Sequence, residues 1–405
     1  MLSLELTGMA HGGDALGRHE GRVIFVPYGI PGENVRVEIK EDKGKWARAH
    51  LVEVLAPSPH RVEPPCPYFG ICGGCQWQHI DYEAQLVYKH QIVKEQLRHL
   101  GGIGDAPVAP TLPSPDIWHY RNNVQLTADP KGLLGFKAAL SKQVVPIEQC
   151  LLMHPLLDDL FSALDLAFPG LERMSLRAGT RSGEVMLIFE TVDEEPPEIE
   201  TDMPVSCVLL LKDGTPVNLI GRNHITEVLC GREFRISAPS FFQVNTVQAE
   251  NLVQTVETFL QLTGTENLLD AYCGVGTFAL NLAPRARRVI GIEESPYAIA
   301  DARVNSQELS NVEFIEGQVE NVLPDLDEVI DAVVVDPPRQ GCRPEVLQAL
   351  TKLQPERIVY VSCDPATLAR DARHLAEAGY LLRQVQPVDM FPQTYHIETV
   401  SLWSR

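Results

Sequence analysis

The hydrophobic pattern in the second half of the chain predicts a parallel β-sheet covered by helices. From about residue 233 onward, short continuous apolar runs alternate with stretches of helical periodicity. Runs of this kind are typical of strands that are buried on both faces in α/β proteins. We therefore predict a Rossmann-like α/β domain over residues 233–405. Its strands are expected at 267–270, 288–293, 312–315, 332–336 and 358–361.

The first part of the chain shows alternating apolar and polar residues over short segments. Glycine and proline turns separate three such segments, at 22–26, 34–40 and 49–55. Closely spaced strands of this length predict a small five-stranded, OB-like β-barrel over residues 1–58. Barrels of this kind often bind single-stranded nucleic acid through basic side chains on one face.

A proline-rich joint at 56–59 separates the barrel from a central region with mixed patterns. Residues 59–232 combine strand and helix signals, with a helical pattern from Tyr82 to Leu100 and an acidic, proline-rich loop at 191–204. The fold class we expect is α/β, with an OB-like barrel, an α+β central domain and a C-terminal Rossmann-like domain.

The composition limits both the compartment and the partners of the chain. No apolar run reaches the roughly 18 residues of a membrane-spanning helix, and Glu5 falls too early for a signal peptide, so we expect a cytoplasmic protein. A formal charge of -20 excludes a generic nucleic-acid binder that relies on its global field. RNA binding would depend on local basic residues. The candidates are Arg22, Arg36, Lys43, Lys45, Arg48, Arg121, Lys131, Lys137, Arg339, Arg343 and Arg370.

A glycine loop at the end of the first predicted strand of the sheet is a candidate cofactor site. The segment 270–276 reads DAYCGVG, and its glycines Gly274 and Gly276 allow close approach of a ligand to the backbone. Glu293 ends the next strand, where a carboxylate can hold the hydroxyls of an adenosine ribose. The loop and this acid resemble motifs I and II of S-adenosylmethionine-dependent methyltransferases. NAD remains the alternative, because Ala279 at the third glycine position fits a relaxed dinucleotide fingerprint.

Two residues near the C-terminus are candidates for covalent catalysis. Cys363 follows an apolar strand, where a polar crevice can favour the thiolate, and Glu398 begins another strand-like segment. Carbon 5 of uracil is a poor nucleophile, so its methylation needs a thiolate that adds to carbon 6 and a base that removes the carbon 5 proton. Asp336 opens an Asp-Pro-Pro turn after a third strand and projects toward the same crevice.

Four segments of the second half together resemble the RNA uracil-5 methyltransferase family. They are SFFQVN at 240–245, DPPRQG at 336–341, SCDPATLARD at 362–371 and FPQTYHIE at 391–398. The resemblance covers nearly the whole chain and includes a barrel similar to the TRAM domain. It implies that Cys363 attacks uracil and that Glu398 is the base. The implied pocket for S-adenosylmethionine and uracil contains Gln243, Tyr272, Glu293 and Asp336, together with Thr277 and Gln318 at positions where family members carry Asn.

Cysteines in the central region predict a metal centre rather than disulfides. The chain has nine cysteines, and three of them, Cys66, Cys72 and Cys75, form a C-x5-C-x2-C cluster with Cys150 far downstream. Four thiols suit either zinc or an iron–sulfur cluster, and spacing alone does not choose between them. The resemblance to the iron–sulfur branch of the same family implies a closed 4Fe-4S cluster.

The expected function is therefore methylation of carbon 5 of one uridine in structured RNA. The target base would be flipped out of its loop, because the chemistry needs access to the ring. We expect ribosomal RNA (23S) as the substrate, transfer RNA as the second candidate, and a monomeric enzyme. Two other hypotheses remain: methylation of an exocyclic amine, which needs no thiolate, and a non-catalytic, cluster-bearing RNA-binding protein.

Overall fold

The N-terminal strands close into a barrel. The computed structural model describes residues 1–139, 141–165, 168 and 170–405. Five strands pair in the closed order β1-β2-β3-β5-β4, and their inward-facing residues, such as Leu6, Ile24 and Val37, are fully buried. The alternation of the sequence thus places one face of each strand in the barrel core. The strands are β1 (Leu2–Met9), β2 (Ala15–His19), β3 (Arg22–Val26), β4 (Asn34–Asp42) and β5 (Trp46–Ala56).

A long helix, α1 (Tyr82–His99), connects the barrel to the rest of the molecule. Asp81 caps its N-terminus, because its side chain accepts a hydrogen bond of 2.9 Å from the amide of Ala84. The helix packs against the C-terminal domain and buries two polar side chains completely, Gln85 and Lys89. Buried polar groups of this kind need partners. Both side chains find them in the C-terminal domain, and Gln85 also donates to the carbonyls of Trp77 and Ile80 just before the helix.

The central region forms a seven-stranded mixed sheet in the order β12-β11-β10-β9-β6-β7-β8. A separate hairpin, β13 and β14, leads into the C-terminal domain. The elements are β6 (Asn123–Ala128), β7 (Leu134–Lys137), β8 (Val144–Pro146), α2 (Pro155–Ser162), β9 (Leu171–Ala178), β10 (Val185–Thr191), β11 (Val205–Leu210), β12 (Pro216–Ile220), β13 (His224–Leu229) and β14 (Arg232–Ser237).

The C-terminal sheet has seven strands in the order β17-β16-β15-β18-β19-β21-β20, parallel except for β21. Its central strands are buried throughout, as their continuous apolar runs predict. Short 3₁₀ turns lie at Ala283–Arg285 and Leu323–Asp325. The elements are α3 (Thr246–Leu260), β15 (Asn267–Ala271), α4 (Thr277–Leu282), β16 (Arg288–Glu293), α5 (Pro296–Asn305), β17 (Val312–Glu316), α6 (Val319–Val322), β18 (Ala332–Val335), α7 (Pro344–Leu353), β19 (Arg357–Ser362), α8 (Pro365–Glu377), β20 (Leu381–Val388) and β21 (Glu398–Ser404).

The expected fold class is confirmed: a closed five-stranded barrel precedes an α+β region and a Rossmann-like domain. In the C-terminal sheet, one strand, β20, is not among the predicted strands. It forms an edge of the sheet, and residues such as Leu381, Arg383 and Gln384 leave part of it exposed. A strand with one solvent-exposed face lacks the continuous apolar run that marks the inner strands. No helix among the described residues combines the length and the apolarity that crossing a bilayer requires.

Candidate active site

The order of the strands places the predicted site residues in a row along one edge of the C-terminal sheet. Glu293 ends β16, the glycine loop follows β15, Asp336 follows β18 and Cys363 follows β19, and these four strands are neighbours in that order. Ligands of open α/β sheets bind at the carboxyl ends of the strands. Glu398 joins the row from the opposite chain direction, because β21 is antiparallel and begins there.

The register between β19 and β21 brings the candidate nucleophile and base together. Ser362 pairs with Thr399 in this antiparallel ladder. One step further along the ladder, Cys363 therefore lies opposite Glu398. Cys363 is half-buried, whereas Glu398 is only 3% exposed. A ring inserted at this edge would therefore contact both a thiol and a carboxyl group.

The turn that carries Cys363 is held by its own neighbours. Ser362 Oγ donates to the carbonyl of Asp364 at 3.0 Å and accepts from its amide at 3.2 Å. Asp364 Oδ1 caps α8 by accepting from the amides of Ala366 at 2.8 Å and Thr367 at 3.2 Å. One contact comes from the barrel: the His11 ring lies 3.5 Å from the same carboxylate oxygen.

The charges around Cys363 overturn one expectation. Burial, together with the carboxyl groups of Glu398 and Asp336, raises the pKa of its thiol to about 12, while the Arg339 guanidinium acts in the opposite direction. The prediction that the crevice favours the thiolate is therefore wrong for the free protein. The reason is that two acids face the sulfur from adjacent strands, and the sequence does not reveal their proximity.

The two acids also affect one another. Burial raises the pKa of Asp336 to about 7, and burial together with the charge of Asp336 raises the pKa of Glu398 well above its usual range. Like charges in a dry site cannot both ionise readily, so the pair retains a proton close to neutral pH. The site thus contains an acid and a base whose charges depend on each other.

The glycine loop has the conformation that a cofactor loop requires. Tyr272 (φ +67°), Gly274 (φ +55°) and Gly276 (φ +89°) all lie in the left-handed region. The amide of Gly274 donates to Glu293 Oε2 at 3.1 Å, which ties the loop to the acid at the end of β16. Beneath it, Asp270 Oδ2 accepts from the amide of Ala279 at 2.7 Å, while buried Oδ1 has no partner among the described residues. Burial raises the pKa of Asp270 to about 8.

The remaining predicted cofactor residues lie on three segments of the C-terminal domain. Thr277 is the first residue of α4, directly after the loop, and exposed Gln318 follows β17 and donates to Glu294 Oε2 at 3.2 Å. Gln243 belongs to the segment before α3, and its carbonyl accepts from Asn122 Nδ2 at 2.9 Å. Thr277 and Gln318 therefore lie at the row of strand ends, whereas Gln243 contacts the central region through Asn122.

The four predicted metal ligands line one cavity. Cys66, Cys72, Cys75 and Cys150 surround a volume of about 250 Å³, and each is a free thiol. The amide of Gly74 donates to Cys72 Sγ at 3.3 Å, an interaction that suits a ligating sulfur. Within the described ranges, however, no three histidine, cysteine or acidic side chains group tightly enough to hold one metal ion.

The basic residues predicted to contact RNA are mostly paired with acids. In the barrel, Arg22 contacts Asp42 at 2.6 Å and Arg48 contacts Asp14 at 2.7 Å. Further ion pairs join Arg36 to Glu53, Lys43 to Glu41, Arg343 to Glu320 and Arg370 to Asp371. The barrel face is therefore less positive than its arginines and lysines alone suggest. Arg339 differs, because its guanidinium lies 3.4 Å from His396 Nδ1, at the mouth of the site.

Aromatic residues near the site divide into packing and exposed groups. Phe242 is buried against Phe234 with ring centroids 6.1 Å apart, so it packs in the core rather than offering a stacking surface. Its neighbour Phe241 is 68% exposed, although it is not among the residues that the sequence singles out. Alternation along SFFQVN is the available signal, but which of the two rings faces solvent depends on tertiary packing.

The fold and the row of strand ends define a Rossmann-like methyltransferase with an added barrel. Residues 217–405 match the family described as tRNA (Uracil-5-)-methyltransferase, and residues 3–52 match the TRAM domain. The chain is 38% identical to an uncharacterised RNA methyltransferase of Gloeobacter violaceus. The alignment covers 100% of this chain and 96% of that relative. A relative described in the same way in Halalkalibacterium halodurans is 35% identical, with 99% of this chain and 96% of the relative covered.

A solved structure has the same architecture from end to end. The tRNA (uracil-54, C5)-methyltransferase of Pyrococcus abyssi, in complex with S-adenosyl-L-homocysteine, superposes with a TM-score of 0.78 at 28% identity. The match covers 99% of this chain and 100% of that protein. The chain belongs to the tRNA (uracil-5-)-methyltransferase family and is an RNA methyltransferase.

Proposed function

We propose that the protein methylates carbon 5 of a specific uridine in structured RNA through a covalent adduct with Cys363. The observation that carries this proposal is the β19–β21 register, which puts Cys363 opposite Glu398 at the sheet edge that also carries the glycine loop. A thiol and a carboxyl group on neighbouring strands match the two groups that uracil methylation needs. Family membership removes the non-catalytic hypothesis and leaves the details of the chemistry to be tested.

In the proposed reaction Cys363 Sγ bonds to carbon 6 of uracil, and the ring electrons move to carbon 5 as an enolate. S-adenosylmethionine supplies the electrophilic methyl group that carbon 5 takes up. Glu398 then removes the proton from carbon 5, and the bond between carbon 6 and Sγ breaks as the electron pair returns to sulfur. The products are 5-methyluridine, S-adenosylhomocysteine and a proton held by Glu398.

The electrostatics of the free site fit a thiol that is activated only when substrate binds. Because the pKa of Cys363 is about 12 in the free protein, the resting sulfur is protonated. An RNA phosphate held by Arg339 would add further negative charge, so ionisation must come from transfer of the thiol proton to a nearby base. The carboxylate of Asp336 faces the sulfur and can accept this proton, which leaves Glu398 free to remove the carbon 5 proton later.

The cofactor is proposed to lie between the glycine loop and Glu293. Gly274 and Gly276 would allow its methionine part to approach the backbone, and Glu293 would bind the ribose hydroxyls. Tyr272, Thr277 and Gln318 would complete the adenosine side, while Gln243 and Asp336 would face uracil. The buried Oδ1 of Asp270, which has no hydrogen-bond partner within the described part of the chain, supports a polar ligand near it.

We further propose that the cavity of four cysteines holds a 4Fe-4S cluster. The cavity fits such a group, because Cys66, Cys72, Cys75 and Cys150 all line it and an amide already donates to one sulfur. Four thiols suit zinc as well as an iron–sulfur cluster, and the resemblance to the iron–sulfur branch of the family is what favours the cluster. A cluster joined to these four thiolates would link segments distant in sequence.

Ribosomal RNA, 23S, is the substrate that we propose first, because of the cysteine cavity and the barrel together. Transfer RNA is the second candidate, and the similarity to the Pyrococcus abyssi enzyme favours it. Mapping of 5-methyluridine in both RNA classes, from cells with and without the gene, distinguishes them. Loss of one modified position in 23S rRNA supports the first proposal, whereas loss in tRNA alone overturns it.

RNA that contains 5-fluorouridine tests the covalent step directly. Fluorine cannot leave as a proton, so the adduct is expected to persist and to migrate as one protein–RNA species in denaturing gels. The Cys363→Ala variant should form no adduct, whereas Cys207→Ala, which alters a buried thiol in β11 of the central sheet, should form it normally. Methyl transfer that survives in Cys363→Ala would instead support methylation of an exocyclic amine.

A further inference from the structure

The segment that carries the candidate base is held mainly by residues outside it, beside a few bonds that Thr394 makes within it. The base loop, residues 389–397, joins β20 to β21, and Glu398 follows it directly. Five consecutive backbone carbonyls of this loop accept hydrogen bonds from other parts of the chain. These bonds run to Asp389 from Gln248 (2.8 Å), to Met390 from Asn245 (3.3 Å), to Phe391 from Lys89 (3.1 Å), to Pro392 from Tyr120 (3.0 Å) and to Gln393 from the amides of Gln76 (3.1 Å) and Trp77 (3.0 Å).

The last two of these carbonyls are bound by the segments that carry the cysteines. Gln76 and Trp77 directly follow Cys75 in the chain. Tyr120 is fixed to the other side of the thiol cavity, because the amides of its two neighbours donate to the carbonyls of Leu151 and Leu152, both at 2.8 Å, directly after Cys150. Segments from two sides of the thiol cavity thus bind neighbouring carbonyls of the base loop, those of Pro392 and Gln393.

The conformation of the base loop needs this support. Gln393 has a φ of +68° although it is not glycine, and it is only 3% exposed. Such a backbone is strained for any residue other than glycine and persists only where the surroundings impose it. Buried Gln85 adds a matched pair of bonds, accepting from the amide of Gln393 at 3.1 Å and donating to its side-chain oxygen at 3.0 Å.

We propose that the thiol cavity positions the catalytic base, with Tyr120 and Gln393 as the positioning residues between the cavity and Glu398. The inference rests on the proposed function, and it assigns a task to the cysteine segments beyond stability of the central region. Joining the four thiols through one bound group would fix both walls, and the fixed walls would hold the loop where Glu398 reaches carbon 5. Neither positioning residue needs to touch RNA.

Hydrogen exchange tests this coupling without any measurement of activity. The full-length protein would be compared after anaerobic reconstitution with iron and sulfide and after removal of iron by a chelator. Amides of residues 389–397 are expected to exchange at least about tenfold more slowly in the iron-loaded form. A peptide over the glycine loop, 270–277, serves as the internal control and should not change. Equal exchange of the base loop in both forms, or failure to take up iron, overturns the proposal.

A matched pair of hydroxyl deletions tests the positioning role. Tyr120→Phe removes the bond to the Pro392 carbonyl, and Tyr380→Phe removes a similar buried bond of 2.9 Å to the carbonyl of Pro355, away from the site. Each variant would be incubated with labelled S-adenosylmethionine and total RNA from cells lacking the gene. Tyr120→Phe should form 5-methyluridine about tenfold more slowly and accumulate the protein–RNA adduct, because proton removal is the step that suffers. Tyr380→Phe should stay within about twofold for both readouts.

The two possible failures are distinguishable. If Tyr120→Phe lowers adduct and product by the same factor, its hydroxyl has only a general structural role and the positioning proposal is wrong. Glu398→Gln is the reference, since it should accumulate adduct without releasing product. If Glu398→Gln releases product normally, the assignment of the base fails instead, whatever Tyr120→Phe does.

Discussion

The proposed nucleophile, Cys363, and the proposed base, Glu398, lie opposite one another, yet their loops are built in contrasting ways. The turn of Cys363 is closed by bonds within residues 362–367, through Ser362 and the cap at Asp364. The base loop before Glu398 instead takes its hydrogen bonds from helices α1 and α3 and from the cysteine segments. One loop is thus local in sequence, and the other depends on contacts across about 300 residues.

This contrast indicates how the enzyme divides its tasks. A self-contained turn keeps the thiol in place whether or not the neighbouring regions are ordered, because short-range bonds form with little loss of chain entropy. A loop held by remote donors moves when those donors move. We therefore expect addition to carbon 6 to be robust, and proton removal by Glu398 to be sensitive to changes in the central region.

Removing Lys89, the buried cation of α1 that binds the base loop, should have the largest effect on stability. Lys89 and Asp389 form a fully buried ion pair at 2.5 Å, and burial lowers the pKa of the lysine while Asp389 opposes this shift. Lys89→Met leaves an unpaired buried carboxylate, so the free energy of unfolding should fall by about 3–5 kcal/mol. Urea denaturation measures the loss.

Two controls sharpen this prediction. The double variant Lys89→Met, Asp389→Leu should recover more than half of the lost stability, because no unpaired charge remains. Arg36→Met, which breaks an exposed ion pair with Glu53, should cost less than about 0.5 kcal/mol. A loss in Lys89→Met no larger than in Arg36→Met would mean that the base loop does not depend on α1.

The acidic limb of the pH–rate profile should shift when one acid of the site is removed. The pKa of Glu398 is raised by burial and by the charge of Asp336, and a base must be deprotonated to act, so kcat/KM should rise as the pH increases through the range around 7. In Asp336→Asn the negative neighbour is absent, and the limb should move to lower pH by about one unit. Single-turnover rates between pH 5 and 9 measure it. An unshifted limb would show that Glu398 does not titrate in this step.

The same contrast explains what can be predicted from the sequence. Strand ends are visible as apolar runs followed by turns, so local patterns alone assign Asp336, Cys363 and the glycine loop to one edge of the sheet. The pKa of Cys363 cannot be predicted in this way, because the positions of Glu398 and Asp336 beside it follow from strand order and register, which the local pattern does not specify.

The supports of the base loop are also beyond the reach of local patterns. Lys89 and Gln85 lie on a helix whose sequence marks them as polar surface residues, and only the packing of α1 on the C-terminal domain buries them. The barrel provides a similar case, since its arginines suggest a basic face while their partners, such as Asp14 for Arg48, are distant in sequence. The arginines and lysines in the barrel sequence therefore suggest a more positive barrel surface than the structure has.

The local turn of the nucleophile should respond modestly and differently. Asp364→Ala removes the cap of α8 and should lower the free energy of unfolding by about 1 kcal/mol. Adduct formation and product release should fall together, because the change displaces Cys363 and not Glu398. Gel quantification of adduct beside labelled 5-methyluridine checks this pattern. Accumulation of adduct in Asp364→Ala would contradict the division of tasks between the two loops.

The contact from the barrel should contribute least. The His11 ring is 31% exposed and lies 3.5 Å from Asp364, whose pKa is held below its usual value by this histidine and by the two helix amides, despite burial. Partly exposed ion pairs are weak, so His11→Gln should change stability by only about 0.3 kcal/mol. Thermal denaturation measures the difference. If His11→Gln instead abolished adduct formation in a folded protein, the turn of Cys363 would not be self-contained, and the barrel would have to be counted as part of the active site.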